Sequence, residues 1–249
     1  MESPAADETT RERIRPLCVV EHAGLTDVGR EREHNEDSFL VRSPLFVVAD
    51  GMGGAEAGEV ASQTAIETFE QAADLPGTLG ATVEAANARI HEMATAESGR
   101  QGMGCTVTAA FADSGKLFVA HVGDSRLYRM RGDSFEQLTD DHSLVGGLVR
   151  LGQLTEEEAE NHPQKSVILR AVGVEPTVEV DVIEQDLEAG DVYLACSDGL
   201  SGMVRTPVLA ETLRMFGSLD EAAEMLIELA NAAGGRDNIT AVLFRIGGS

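Results

Sequence analysis

The chain has 249 residues, 43% of them hydrophobic, with 43 acids against 19 bases and a formal charge of −24. That size supports one large core or two modest ones, and the longest apolar runs, about six residues, fall far short of the roughly 20 that cross a bilayer. So negative a surface repels nucleic acid and anionic membranes at long range, which removes both as expected partners. The opening residues, Met1 to Glu8, lack the basic-then-apolar order of a secretory signal, so a cytoplasmic protein is expected. Cys18, Cys105 and Cys196 are odd in number, show no C-x-x-C spacing and sit in apolar runs, which reads as buried thiols. Lys116 and Lys165 are the only lysines. Acid-rich, lysine-poor composition suits a high-salt cytoplasm, and GC-rich codon usage gives the same pattern.

Residues 1–16 are polar and end in Arg11 to Pro16, which reads as a loose tail before one domain over 17–249. Val19 to Leu25 reads as a strand, Thr26 to Asp37 as a charged loop and Ser38 to Val41 as a second strand. Phe46 to Ala49 is a short apolar strand that stops at Asp50-Gly51-Met52-Gly53-Gly54. Helical spacing follows over Gly58 to Ala73 and Thr78 to Ala96. Thr106 to Ala112, Lys116 to Val122 and Leu127 to Met130 alternate as strands joined by tight turns, an antiparallel meander. From 140 to about 173 the pattern breaks into short helices, Ser143 to Leu151 and Thr155 to Ala159, a candidate mobile flap. Val178 to Ile183 and Asp191 to Cys196 return to strand, Pro207 suits a first helical turn, and Ser218 with Glu221 forms a capping box ahead of Leu219 to Ala232. Gly234-Gly235 closes that helix before the strand Ile239 to Phe244. Strand runs and helix runs are segregated, which argues for α+β and against a doubly wound parallel sheet.

A single Asp-Gly after a strand is ordinarily a turn. Here the device recurs: Asp50-Gly51, Gly123-Asp124-Ser125-Arg126 and Ser197-Asp198-Gly199 each end a strand, and Gly235-Arg236-Asp237-Asn238 precedes one. Acids at strand mouths, far apart in sequence, are the ligand set a hard divalent cation needs, because Mg²⁺ and Mn²⁺ prefer oxygen donors. Glu36 and Asp37 add two carboxylates, and Arg32 brings a forked donor suited to phosphate.

Together, Arg32-x-x-Asn35-Glu36-Asp37, Asp50-Gly51-Met52-Gly53-Gly54, Gly104-x-Thr106, Gly123-Asp124-Ser125-Arg126, Ser197-Asp198-Gly199 and Gly235-x-Asp237-Asn238 resemble the metal-dependent Ser/Thr protein phosphatases of the type 2C family, in its compact bacterial form. The resemblance runs from about Val19 to Ile246. It implies a four-layer α-β-β-α sandwich, two antiparallel sheets flanked by helices, with metals at one end between the sheets. It also implies that Asp50 bridges two Mn²⁺ or Mg²⁺ ions, that the Gly51 carbonyl ligates one, and that Asp198 and Asp237 complete the core set. Asp124, with Asp198, would hold a third, weaker ion, Asp37 would hold the metal waters with Glu36 close by, and Arg32 would bind the substrate phosphate. The implied reaction is hydrolysis of phosphoserine and phosphothreonine by a water shared between two cations. Arg32 and Asp50 would then be the catalytic residues. The implied substrates are phosphorylated proteins, a Hanks-type Ser/Thr kinase or its targets among them, acted on by a monomer.

Many eukaryotic relatives place a histidine, the favoured general acid, where this chain has Met52. Met52 donates no proton, so a metal-bound water is the first choice of acid, with His142 or His162 as weaker ones. The glycines after Asp50 lack both the Gly-x-Gly-x-x-Gly and the Lys-Ser/Thr of nucleotide-binding loops, and no Gly-x-Ser-x-Gly elbow occurs. The rival readings are a catalytically dead phosphoprotein-binding scaffold, and a phosphatase dedicated to one small phosphoprotein of a stress switch. The presence of Asp50, Asp198 and Asp237 argues against the scaffold.

Overall fold

The computed structural model describes residues 17–72, 77–96 and 102–248. The tail expected over 1–16 lies outside the described residues. One antiparallel sheet runs in the order β1 (Leu17–Asp27), β11 (Ile239–Gly248), β10 (Val192–Cys196), β7 (Arg126–Arg131) and β8 (Ser134–Gln137). The second runs β2 (Asp37–Arg42), β3 (Leu45–Met52), β5 (Val107–Asp113), β6 (Lys116–Val122) and β9 (Asp181–Asp186), with β4 (Gly104–Cys105) paired to the end of β3.

The sheets pack face to face. Strand β3 is apolar on both sides because both are covered: Phe46 and Val48 face the other sheet, whereas Val47 and Ala49 face helices. Between the sheets Phe46 stacks on Phe244 at 4.2 Å and Tyr193 on Phe244 at 4.8 Å. Such pairs contribute about 0.5–1.5 kcal/mol each beyond the area they bury. Helices α1 (Ala55–Gln71) and α2 (Leu79–Ala96) cover the second sheet, and α1 does so through Ala57, Ala61, Ala65 and Phe69, four residues apart. Helices α6 (Thr206–Met215) and α7 (Leu219–Ala232) cover the first, α7 through Leu219, Ala223, Leu226 and Ala230. The architecture is therefore the expected four-layer α-β-β-α sandwich.

The stretch from 140 to 173 leaves the sheets, carries α3 (Leu144–Arg150) and α4 (Glu156–Glu160), and rejoins the body through a bridge between Cys105 and Val172. Several local expectations need correction. Strand β9 starts at Asp181, because Val178 and Val180 pack into the helix-facing core without ladder partners. The short, polar edge strand β8 carries too little pattern to be foreseen. Ser218 caps α7 by position, but its side chain makes no cap bond; Glu21 of β1 accepts from the Leu219 N–H at 2.7 Å instead. A capping box does form at Thr155 and Glu158 on α4. Cys105 and Cys196 are buried thiols, whereas Cys18 is only half-buried on the edge strand β1. Among the described residues no helix is long and apolar enough to cross a membrane.

Candidate active site

Antiparallel pairing gathers the acids. Asp50 lies near the end of β3 and Asp37 at the start of β2, directly opposite each other in the ladder, so their side chains project to the same face. Asp124 follows β6, Asp198 follows β10 and Asp237 precedes β11. Because β2 opposes β3, β7 opposes β10 and β10 opposes β11, all five positions fall at one end of the sandwich.

Their charges register one another. The Asp50 carboxyl is held well above the usual carboxylate range by burial, then by the charges of Asp37, Asp198, Asp124 and Asp237. Asp37 is pushed up to about 7, chiefly by burial, although Thr240 and Ser197 oppose the shift by hydrogen bonding. Asp124 is likewise raised to about 7, by burial and then by Asp198 and Asp141. Asp198 is raised by burial and by Asp237, against a hydrogen bond with Asp50. Glu36, buried, is raised by burial, and Arg32 offsets part of this.

The groups that hold these acids come from several elements. Ser197 Oγ and Thr240 Oγ1 both donate to Asp37 Oδ2, at 2.7 and 2.6 Å. Asp37 Oδ1 is buried and has no hydrogen-bond partner among the described residues, and the same is true of Asp124 Oδ1. Thr106 brackets Asp50: its N–H donates to the Asp50 carbonyl at 2.8 Å and its Oγ1 accepts from the Asp50 N–H at 3.1 Å. Asn238 pins the 28–36 loop, accepting from the Glu36 N–H at 2.8 Å and donating to the carbonyls of Val28 and His34. A Cβ at Gly51 would sit 2.2 Å from the Gly58 carbonyl, and one at Gly58 would sit 1.9 Å from Glu36 Oε2, so only glycine closes this corner.

Arg32, half exposed, donates from Nη2 to Asp237 Oδ2 at 2.8 Å and lies 3.8 Å from Glu36 Oε1. Burial works against its charge, but the Asp237 hydrogen bond and the surrounding acids outweigh it and raise its pKa. Arg126, from the Gly-Asp-Ser-Arg motif, is spent elsewhere: it pairs bidentately with Asp141 and donates to Tyr128 Oη. His142 and His162 do not serve the cluster as donors. His142 is buried with Nε2 at 3.1 Å from Asp181, and His162 Nδ1 accepts from the Gln164 N–H.

All seven residues singled out from the sequence, Arg32, Asp37, Asp50, Gly51, Asp124, Asp198 and Asp237, thus lie at this one end of the molecule. Thr106 entered only as part of the Gly104-x-Thr106 motif, with no role, and Thr240 was not singled out; Thr240 is the one polar residue of the apolar run Ile239 to Phe244, which is the signal that could have found it. As placed, no group of three or more acids, histidines or cysteines among the described residues closes on a common point. The donors nevertheless fit hard cations in kind. They are all oxygen, they are mutually repelling, and two buried carboxylate oxygens await a partner.

The profile of one family, protein phosphatase 2C, matches residues 29–239. A serine/threonine phosphatase named stp from Listeria innocua is 41% identical over 233 residues, 88% of this chain and 92% of that one. The serine/threonine protein phosphatase PstP of Mycobacterium tuberculosis is 41% identical over 238 residues, 92% of this chain but 45% of PstP. The crystal structure of a PstP catalytic domain in complex with two manganese ions superposes with a TM-score of 0.85 at 38% identity, covering 93% of this chain and 99% of that one.

Proposed function

This chain belongs to the protein phosphatase 2C family and is a protein serine/threonine phosphatase, and we propose that it acts through two Mn²⁺ or Mg²⁺ ions held by the carboxylate cluster. The observation that carries the proposal is the cluster itself: the carboxyls of Asp37, Asp50, Asp124 and Asp198 are all raised, first by burial and then by the charges of neighbouring aspartates, and Asp37 and Asp124 keep buried oxygens with no hydrogen-bond partner among the described residues. Several ionised acids packed together require cationic neutralisation.

In this reading Asp50, Asp198 and Asp237 hold the two core ions with the Gly51 carbonyl, and Asp124 with Asp198 holds a third, weaker one. Bound there, the ions supply charge neutralisation and an activated water for in-line attack on phosphorus. Asp37, fixed by Ser197 and Thr240 through one oxygen, presents the other to orient that water. Arg32 spends one N–H in a hydrogen bond to Asp237 and makes no other among the described residues, with Glu36 Oε1 3.8 Å from Nη1, so the rest of its fork can serve a phosphate dianion. Residues 17–249 form the catalytic domain, with 140–173 as a flap beside the site. The substrates are phosphorylated proteins; a Ser/Thr kinase of the Hanks type is proposed among them, and the enzyme is proposed to be monomeric. The charge of −24 favours targets with basic flanks. Free thiols suit a reducing compartment, which supports a cytoplasmic setting.

The test is hydrolysis of p-nitrophenyl phosphate and of phosphothreonine peptides. Activity should require Mn²⁺ or Mg²⁺ and stop in EDTA. Turnover that persists in EDTA would refute the metal-dependent reading.

A further inference from the structure

His142 lies in the 140–173 stretch, yet it grips the turn that presents Asp124. Its backbone N–H donates to the Gly123 carbonyl at 2.7 Å, and its Nδ1 accepts from the Gly123 N–H at 3.1 Å. Both polar groups of one peptide residue are therefore taken by a single side chain and its backbone. Gly123 has φ +116°, and a Cβ there would meet Thr106 at 2.5 Å. The turn thus needs a residue with no side chain, whose own freedom must be restrained from outside.

The ring itself has no slack. Because Nδ1 accepts, the proton resides on Nε2, which donates to Asp181 Oδ2 at 3.1 Å. Arg170 Nη1 lies 3.1 Å from the same nitrogen; both donors converge on Asp181, whose Oδ1 accepts from Arg170 at 2.6 Å. The ring also packs, tilted, against the His121 ring with centroids 4.8 Å apart, and His121 is held by Thr108 Oγ1 and the Asp140 carbonyl, each at 3.0 Å.

We propose that His142, as the neutral Nε2–H imidazole, is a positioning residue for Asp124: it fixes the Gly123 backbone, and through it links the turn that carries Asp124 to Arg170 in the flap and Asp181 on β9. The proposal rests on the reading of Asp124 as the acid of the weaker ion site. A histidine that only fills the core needs no acceptor at Nδ1, and that separates the two roles. Asparagine puts its amide oxygen close to the Nδ1 position, glutamine reaches only the Nε2 position, and leucine supplies volume alone.

The experiment has two parts. In ¹⁵N–¹H spectra of the unmodified protein, His142 should show an unprotonated Nδ1 and a protonated Nε2; a protonated Nδ1 overturns the proposal. Calorimetric Mn²⁺ titrations then compare unmodified protein, Asp124→Ala, His142→Asn, His142→Gln and His142→Leu. His142→Leu and His142→Gln should weaken the weakest Mn²⁺ step about tenfold or more and leave the tighter steps alone, whereas His142→Asn should stay within about threefold. KM for p-nitrophenyl phosphate should not change. If His142→Leu does not fold, the Asn and Gln pair carries the comparison. An Asp124→Ala effect accompanied by unchanged binding in both His142→Gln and His142→Leu overturns the proposal alone. Asp124→Ala that leaves every Mn²⁺ step in place overturns the reading of Asp124, and the proposal with it, whatever the tautomer.

Discussion

Asp37→Asn should stabilise the protein in EDTA at pH 8, although it removes a charge from the active site. The folded-state pKa of Asp37 is raised from 3.8 to about 7, mainly by burial, so its ionised form is penalised by folding. That penalty is absent below the unfolded value near 4, grows as pH climbs towards 7 and is complete above it. The shift sets a ceiling of about 4 kcal/mol at pH 8. Asp50, Asp198 and Asp237 share the repulsion, so one neutralisation should recover roughly 1–3 kcal/mol. Asparagine keeps an oxygen to accept from Ser197 and Thr240, so the hydrogen bonds that orient residue 37 survive. Urea unfolding in EDTA should show the midpoint of Asp37→Asn raised by roughly 0.5–1 M at pH 8 and by less than half of that at pH 5, where the penalty is only partly developed. Saturating Mn²⁺ should reverse the order, because the unmodified protein then gains more from ligand binding. A variant that is less stable at pH 8, or equally favoured at both pH values, would refute the reasoning.

Arg32→Ala should raise KM for a phosphopeptide roughly 10- to 100-fold, the worth of hydrogen bonds between charged groups, with kcat changed only a few-fold. An unchanged KM would remove Arg32 from phosphate binding. The surplus of acids predicts that unfolding free energy rises between 0.1 and 1 M KCl, as the Debye length falls from about 10 to about 3 Å; urea titrations that show a flat or falling trend would count against self-repulsion as a dominant cost.

The site was legible in the sequence because its acids are tied to strand ends, and strand ends are written locally: Asp50 and Asp198 each follow an apolar run and precede glycine. The two-sheet architecture followed from the segregated runs together with the family resemblance. What local pattern could not supply were partners across the sheets. Ser197 and Thr240 meet Asp37 from positions 160 and 203 residues away, and no spacing rule reaches that far. The Ser218–Glu221 capping box failed for the same reason: Glu21, ion-paired with Arg245 at 2.9 Å, reaches the helix start from β1 and supplies the acceptor there. Strand β9 was misplaced because Val178 and Val180 alternate like strand residues while packing as core without pairing.

The central claim is that separated acids share divalent cations, and Mn²⁺ calorimetry at pH 6.5 in buffers of different ionisation enthalpy tests it most directly. At least two ions per chain should bind, with proton release, since Asp37 and Asp124 titrate at about 7 without metal, and Asp50→Asn should abolish the tight binding. No bound manganese, or the same stoichiometry and affinity in Asp50→Asn, would contradict it.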